Sequence, residues 1–211
     1  MTATPLTESA TDRVRRFYDQ AAAHYDGWMR PFERVFLGDG RRRLCRKVCG
    51  RTLEIAVGTG LNLAHYPARV QLTAVDLSCA MLAIASHRAQ ALGLSVAFER
   101  ADAQCLPYAD NSFESVVCTL ALCEIPDERQ ALAEAFRVLR PGGVLLLLEH
   151  VRSPVLYVKL GQTALAPLML RLANDHLLRD PMDQLERLGF KVESCERTRW
   201  GIVEHVVARR L

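Results

Sequence analysis

No two of the seven cysteines form a C-x-x-C pair, so their spacing offers no zinc ribbon, redox dithiol or disulfide framework, and no metal ligand set is expected. Several of the seven lie inside apolar runs, so Cys45, Cys49, Cys79, Cys105, Cys118, Cys123 and Cys195 read as reduced core thiols of a cytoplasmic protein. No apolar run reaches the length of a membrane span, and Met1 to Thr11 is polar and threonine-rich, without the apolar centre of an export signal. The expectation is a soluble chain, or one resting on a membrane surface. Internal repeats and low-complexity segments are also lacking.

Neither sign of charge predominates. A formal net charge of +3 is too small to argue for a nucleic-acid partner. The basic residues are nevertheless unevenly placed, with Arg13, Arg15, Arg16, Arg30, Arg34, Arg41, Arg42, Arg43, Arg46, Lys47 and Arg51 crowding the first quarter. That cluster fits solvated helix faces, or contact with anionic lipid or RNA.

With 211 residues, 50% of them apolar, the chain is long enough for one full core and too short for a second substrate domain. Helical periodicity runs from Thr11 to Ala23 and continues through Tyr25, Trp28, Phe32, Val35 and Phe36, with breaks expected near Gly27 and near Gly38 and Gly40. Residues 1–50 are therefore expected to form a helical N-terminal cap, with 51–211 as the main domain. From Arg51 the chain alternates between strand and helix. Strands are expected at Thr52–Val57, Val70–Val75, Ser95–Arg100, Phe113–Leu120 and Val144–Glu149, and a closing hairpin at Lys191–Arg197 and Ile202–Arg209. Helices are expected after Gly60, from Ser78 to Leu92, and from about Asp127 to Leu139. This is an α/β chain with a Rossmann-like doubly wound sheet of seven strands, the last antiparallel. Val155 to Ala173, apolar but for Lys159 and Arg171, reads as one or two helices that cap the pocket or touch lipid, within a lid insertion at about 151–180.

The strand Leu53-Glu54-Ile55-Ala56-Val57 runs into Gly58-Thr59-Gly60, a turn whose glycines let backbone N–H groups approach a ligand closely. Asp76 ends the second strand and Asp102 follows the third, so three neighbouring strands bring Glu54, Asp76 and Asp102 to one edge. An acid at the second strand suits the two hydroxyls of a ribose, and Asp102 with Ala103 suits an adenine amino group. The third small residue of a dinucleotide fingerprint is replaced by Leu63, and no G-K-[ST] follows, which disfavours a pyrophosphate or triphosphate ligand.

These motifs resemble, in order over about residues 50 to 150, those of class I S-adenosylmethionine-dependent methyltransferases. Leu53 to Gly60 matches the first motif, Asp76-Leu77-Ser78 with Met81 the second, Asp102-Ala103 the third, Ser112 to Val117 the fourth strand, and Val138 to Gly143 the turn before the fifth. Ala56 stands where that family usually has glycine. Tyr18-Asp19 and Tyr25-Asp26 are similar to a paired signature of ubiquinone and menaquinone methyltransferases. Val117 to Cys123, Glu149-His150-Val151 and Asn174 to Asp180 resemble the branch of bacterial phosphatidylethanolamine N-methyltransferases and animal alkyl-thiol methyltransferases.

The resemblance implies S-adenosylmethionine as cofactor, held by Tyr25, Glu54, Ala56, Gly58, Gly60, Asp76, Leu77, Met81, Asp102, Ala103 and Thr119. It implies transfer of a methyl group to an N, S or O atom of a small or lipid-like apolar acceptor, with Tyr18, Trp28, Cys123 and Glu124 at the acceptor end. A phosphatidylethanolamine N-methyltransferase at the membrane surface, or a non-catalytic cofactor-binding scaffold, are the alternatives. The sulfonium methyl is already activated, so positioning in line and exclusion of water matter most. Where the acceptor must lose a proton, His150 is the first candidate base because histidine titrates near neutrality, with Glu124, Glu149 and His176 also in reach.

Overall fold

The computed structural model describes residues 8–173, 175–198 and 200–211. Its centre is a seven-stranded sheet of β1 Arg51–Ile55, β2 Gln71–Asp76, β3 Val96–Arg100, β4 Phe113–Thr119, β5 Leu139–His150, β6 Phe190–Thr198 and β7 Val203–Arg210, in the spatial order β3-β2-β1-β4-β5-β7-β6. The first five strands are parallel, and β7 runs antiparallel between β5 and β6. The order reverses between β1 and β4, which leaves a crevice at the carboxyl ends of those strands.

Alternation along the strands builds the two faces. Leu53 and Ile55 of β1, Val116 of β4 and Leu145 and Leu147 of β5 pack with helices α4 (Glu128–Val138) and α6 (Met182–Arg187). Val117, Leu146 and Leu148 point the other way, to Leu37, Leu44 and Val48 around helix α2 (Gly40–Cys45). Helix α3 (Cys79–Ala91) covers Leu72 and Ala74 of β2 through Ala85 and Ala89. Its start is fixed by Ser78, whose hydroxyl accepts from the Met81 N–H, and that of α4 by the Asp127 carboxylate.

The chain departs from sequence expectation in two places. No α-helix follows Gly60; a single 3₁₀ turn, Leu63–His65, ends at Tyr66, whose extended backbone (φ −69°, ψ 140°) is the one a following Pro67 imposes. Gly27 does not interrupt the first helix, which runs unbroken as α1 from Ala10 to Phe32. An interior glycine costs about 1 kcal/mol relative to alanine, and the buried Val14, Ala21 and Ala22 offset it. The helix changes character after Pro31 instead, where a π-type turn, Glu33–Leu37, leads to Gly38 with φ 51°. Helix α5 (Leu156–Ala173) is one helix despite Pro167, and it keeps Leu156, Tyr157, Leu160 and Leu168 exposed. Asn174, first residue of one family-like stretch, lies outside the described residues.

Candidate active site

An open cavity of about 890 Å³ lies at the carboxyl ends of β1, β2 and β4 and beneath α1. Its floor is the turn after β1. Ala56, Val57, Gly58 and Thr59 line it, together with Glu54, Asp76, Leu77, Met81, Asp102, Ala103 and Thr119 from the neighbouring strand ends. A methyl group added at Gly58 would meet nothing within 4 Å, so the backbone there is bare to the cavity. Gly60 serves differently. A Cβ at Gly60 would come 2.6 Å from Leu63 Cδ1, so this glycine allows the turn to pack on its own core and does not line the cavity. Ala56 adopts φ 52°, the left-handed region where a glycine is at ease and an alanine costs about 1–2 kcal/mol.

The acids are held in place by the backbone they adjoin. Asp76 accepts from the Gly58 N–H (2.8 Å) and the Ser78 N–H (2.8 Å), one on each oxygen. Burial pushes its carboxyl up to about 6, against the pull of those N–H groups. Glu54, also pushed up by burial to about 7, accepts from Asn62 Nδ2 at 2.8 Å through one oxygen, while its second oxygen is buried with no well-formed hydrogen bond among the described residues and the Tyr66 hydroxyl draws the carboxyl's value back down from nearby. Asn62 bonds Thr119 as well and receives Arg41, which is itself paired to Glu33 at 2.6 Å. Asp102 is engaged by both the backbone and the side-chain amide of Gln104.

Helix α1 closes the cavity from above through a repeat of seven residues. Tyr18 and Tyr25 line the cavity, with ring centroids 6.1 Å apart. The aspartates that follow them grip the cavity's edges: Asp19 accepts from the Ser78 hydroxyl (2.6 Å), and Asp26 accepts from the Thr59 hydroxyl (2.6 Å) and pairs with Arg88. Two turns of helix thus supply both the cover and its latch.

The far wall is formed by Leu120, Ala121, Glu124, Ile125 and Pro126. Burial pushes the Glu124 carboxyl up to about 8, against the Tyr18 hydroxyl that donates to it. His150 and Cys123 sit behind this wall and are not among the cavity residues. Burial pulls the His150 imidazole down, but Asp175, with Nε2 to Oδ1 at 3.1 Å, outweighs it and the net shift is upward. Glu149 faces inward to the fold, where Oε1 accepts from the Ala121 and Leu122 N–H groups and so shapes the wall. His176 reaches the site only through its backbone N–H, which donates to the Cys123 carbonyl at 3.0 Å. Trp28 is 59% exposed on the outer side of α1, beside His24. Among the described residues, none of α5 lines the cavity.

Sequence reasoning missed Asn62, Arg41, Arg15, Thr59 and Gln104, which tie the acids and the cap together or line the cavity. Only Gln104, two residues beyond Asp102 and able to cap it, left a local signal.

The donor set suits S-adenosylmethionine. The cavity offers carboxylates at two strand ends, a buried Glu54 carboxylate for a cationic group, and a bare glycine turn. Residues 53–147 match the family described as Methyltransferase domain. A demethylmenaquinone methyltransferase of Paenarthrobacter aurescens is 30% identical over 196 residues, covering 89% of this chain and 68% of that protein. A phosphatidylethanolamine N-methyltransferase of Cereibacter sphaeroides is 37% identical over 103 residues, 48% of this chain and 51% of the relative. In several higher-identity matches the chain spans about half the length of the curated relatives. Among solved structures, the cyclase SpnF superposes with a TM-score of 0.76 at 20% identity, covering 100% of this chain and 99% of that one, a likeness of fold alone.

Proposed function

Because this chain belongs to the class I S-adenosylmethionine-dependent methyltransferases, we propose that it transfers the methyl group of that cofactor to a nucleophilic atom of a small or lipid-like apolar acceptor. The observation that carries the proposal is the convergence of Glu54, Asp76 and Asp102 on one cavity floored by the Ala56–Gly58 turn. S-adenosylmethionine supplies a methyl already activated by its sulfonium sulfur.

The chain's own task is then to hold, orient and dry the reacting groups. Asp76 keeps a spare lone pair on each oxygen for the ribose hydroxyls, beyond the two spent on Gly58 and Ser78. Asp102 and Ala103 form the adenine edge. The second Glu54 oxygen takes the ammonium end, and Arg41 through Asn62 keeps that carboxylate aimed. Tyr18 and Tyr25 present aromatic faces to the cationic sulfur and shut out water from above. Glu124 marks the acceptor end. In this reading His150, Glu149 and His176 support the wall and do not touch the acceptor.

The acceptor class is argued from the wall and the cap, where Val14, Leu61, Leu120, Ala121 and Ile125 give an apolar lining. Relatives named for menaquinone and phosphatidylethanolamine chemistry support a lipid-like molecule. No helix among the described residues is long and apolar enough to cross a membrane. Helix α5, with exposed Leu156, Tyr157, Leu160, Leu165, Leu168 and Leu170 and no acidic residue, suits the surface of a bilayer, where such an acceptor would be met.

Incubation with methyl-labelled cofactor and a panel of thiols, amines, catechols, quinols and phospholipids tests the proposal. Label in an apolar acceptor supports it. Tight cofactor binding with no label transferred to any class would instead favour a scaffold, a reading to which the strained Ala56 lends its one observation.

A further inference from the structure

Behind the acceptor wall, three side chains from separate elements converge: Cys123 from the turn after β4, His150 from the end of β5, and Asp175 from the segment after α5. One ligand atom of each lies within 4.8 Å of those of the other two. All three are screened from solvent, Cys123 at 3% and Asp175 at 8% exposure and the His150 side chain at 11%.

Their polar atoms are only partly satisfied. Asp175 Oδ1 pairs with His150 Nε2 at 3.1 Å, whereas His150 Nδ1 is buried with no hydrogen-bond partner among the described residues. A buried polar group left so is costly, and more so where it is charged. Nothing in methyl transfer as described above uses these atoms.

The backbone around them is clamped, as a preformed site requires. The His176 N–H donates to the Cys123 carbonyl, Arg179 donates to the carbonyls of Leu122 and Ile125 on either side of Cys123, and Glu149 holds the Ala121 and Leu122 N–H groups. These bonds fix the two segments that carry Cys123 and Asp175 against the strand that carries His150.

We propose that Cys123, His150 and Asp175 bind one divalent cation of the zinc class. Sulfur, imidazole nitrogen and carboxylate oxygen together form a borderline-soft donor set that zinc and cobalt accept and that magnesium and calcium, which take oxygen ligands, do not. Metal–ligand distances of about 2.0–2.3 Å put neighbouring donors roughly 3.5 Å apart in a tetrahedral site, so the trio closes by about an ångström through side-chain rotation. Three protein ligands leave a fourth position open. Glu124, next in the chain to Cys123, lines the cavity, which sets the cluster one residue behind its wall.

The test is titration of chelator-treated full-length protein with cobalt(II), read by the thiolate-to-cobalt absorption band and by metal content after dialysis against zinc. One equivalent bound with a thiolate band is expected. Cys123→Ser should abolish the band, and Asp175→Asn should weaken binding at least tenfold, while Cys195→Ser, at an exposed thiol, changes neither. Far-UV circular dichroism of each metal-free variant establishes that it is folded, and competition by zinc gives the affinity in the unmodified chain. Absence of a stoichiometric band in the wild type, or a band that survives Cys123→Ser, overturns the proposal.

Discussion

Asp26 Oδ1 accepts the hydroxyl of Thr59 at 2.6 Å, so helix α1 is tied to the turn that floors the cavity. Asp26 is also paired with Arg88 of α3, and Asp19 repeats the arrangement at Ser78. The cover and the floor of the site therefore move as one body.

Breaking this latch should loosen both the fold and the cofactor. Asp26→Ala removes a hydrogen bond to a charged group and an ion pair that is partly screened by solvent, for which a loss of about 1–2 kcal/mol is expected. The midpoint of urea denaturation should fall accordingly, and the affinity for S-adenosylhomocysteine should drop by roughly fivefold to thirtyfold. An affinity equal to wild type would detach α1 from cofactor binding.

Ala56→Gly should stabilise the protein. Relief of the left-handed backbone at φ 52° returns about 1–2 kcal/mol, against about 0.5–1 kcal/mol for the added freedom of glycine in the unfolded chain. The net gain of about 0.5–1 kcal/mol is measurable by denaturant titration, with tighter cofactor binding as the methyl leaves the cavity floor. A destabilised variant would show that the alanine methyl makes contacts worth more than the strain.

Stability without cofactor should decline as pH rises from about 4 to about 7. Asp76 and Glu54 have folded-state values raised by burial to about 6 and about 7, so the folded chain holds protons that the unfolded chain has released. The stabilisation is complete below the unfolded values and is lost as pH climbs through the folded ones. Cofactor that pairs with ionised carboxylates should bind more tightly over the same interval and release protons as it does. Calorimetry in buffers of different ionisation enthalpy measures that release, and Asp76→Asn should remove its part near pH 6.

Helix α5 should carry any membrane contact. Leu160→Glu with Leu168→Glu should reduce co-sedimentation with liposomes several-fold while leaving cofactor affinity unchanged, since neither residue lines the cavity. Binding to liposomes unaffected by the pair would move the contact elsewhere, with the arginine-rich start as the next place to test.

The sheet and the strand ends that line the cavity were legible because their signals are local. A strand running into a glycine turn, an acid at each following strand end and a serine before a helix each occupy a few consecutive residues, and Glu54, Gly58, Asp76 and Asp102 stand where those signals place them. The acceptor half depends on residues far apart in sequence. Whether His150 faces a cavity or lies behind Glu124 is decided by how the turn after β4 is held, and that rests on Glu149, Arg179 and the segment around Asp175. The Cys123, His150 and Asp175 cluster was invisible for the same reason, since its donors share no short spacing and the absence of a C-x-x-C pair says nothing about them. Gly27 and Gly60 misled in opposite ways: one sits at no cost to α1's buried stripe, and the other serves packing under Leu63.

Titration of the wild-type chain and of Asp76→Ala with S-adenosylhomocysteine by calorimetry tests the nucleoside placement most directly. One saturable site in the wild type, at least tenfold weaker in the variant, with no heat from NAD, is the predicted result. Binding of NAD in place of S-adenosylhomocysteine, or equal affinity in the two proteins, would contradict it.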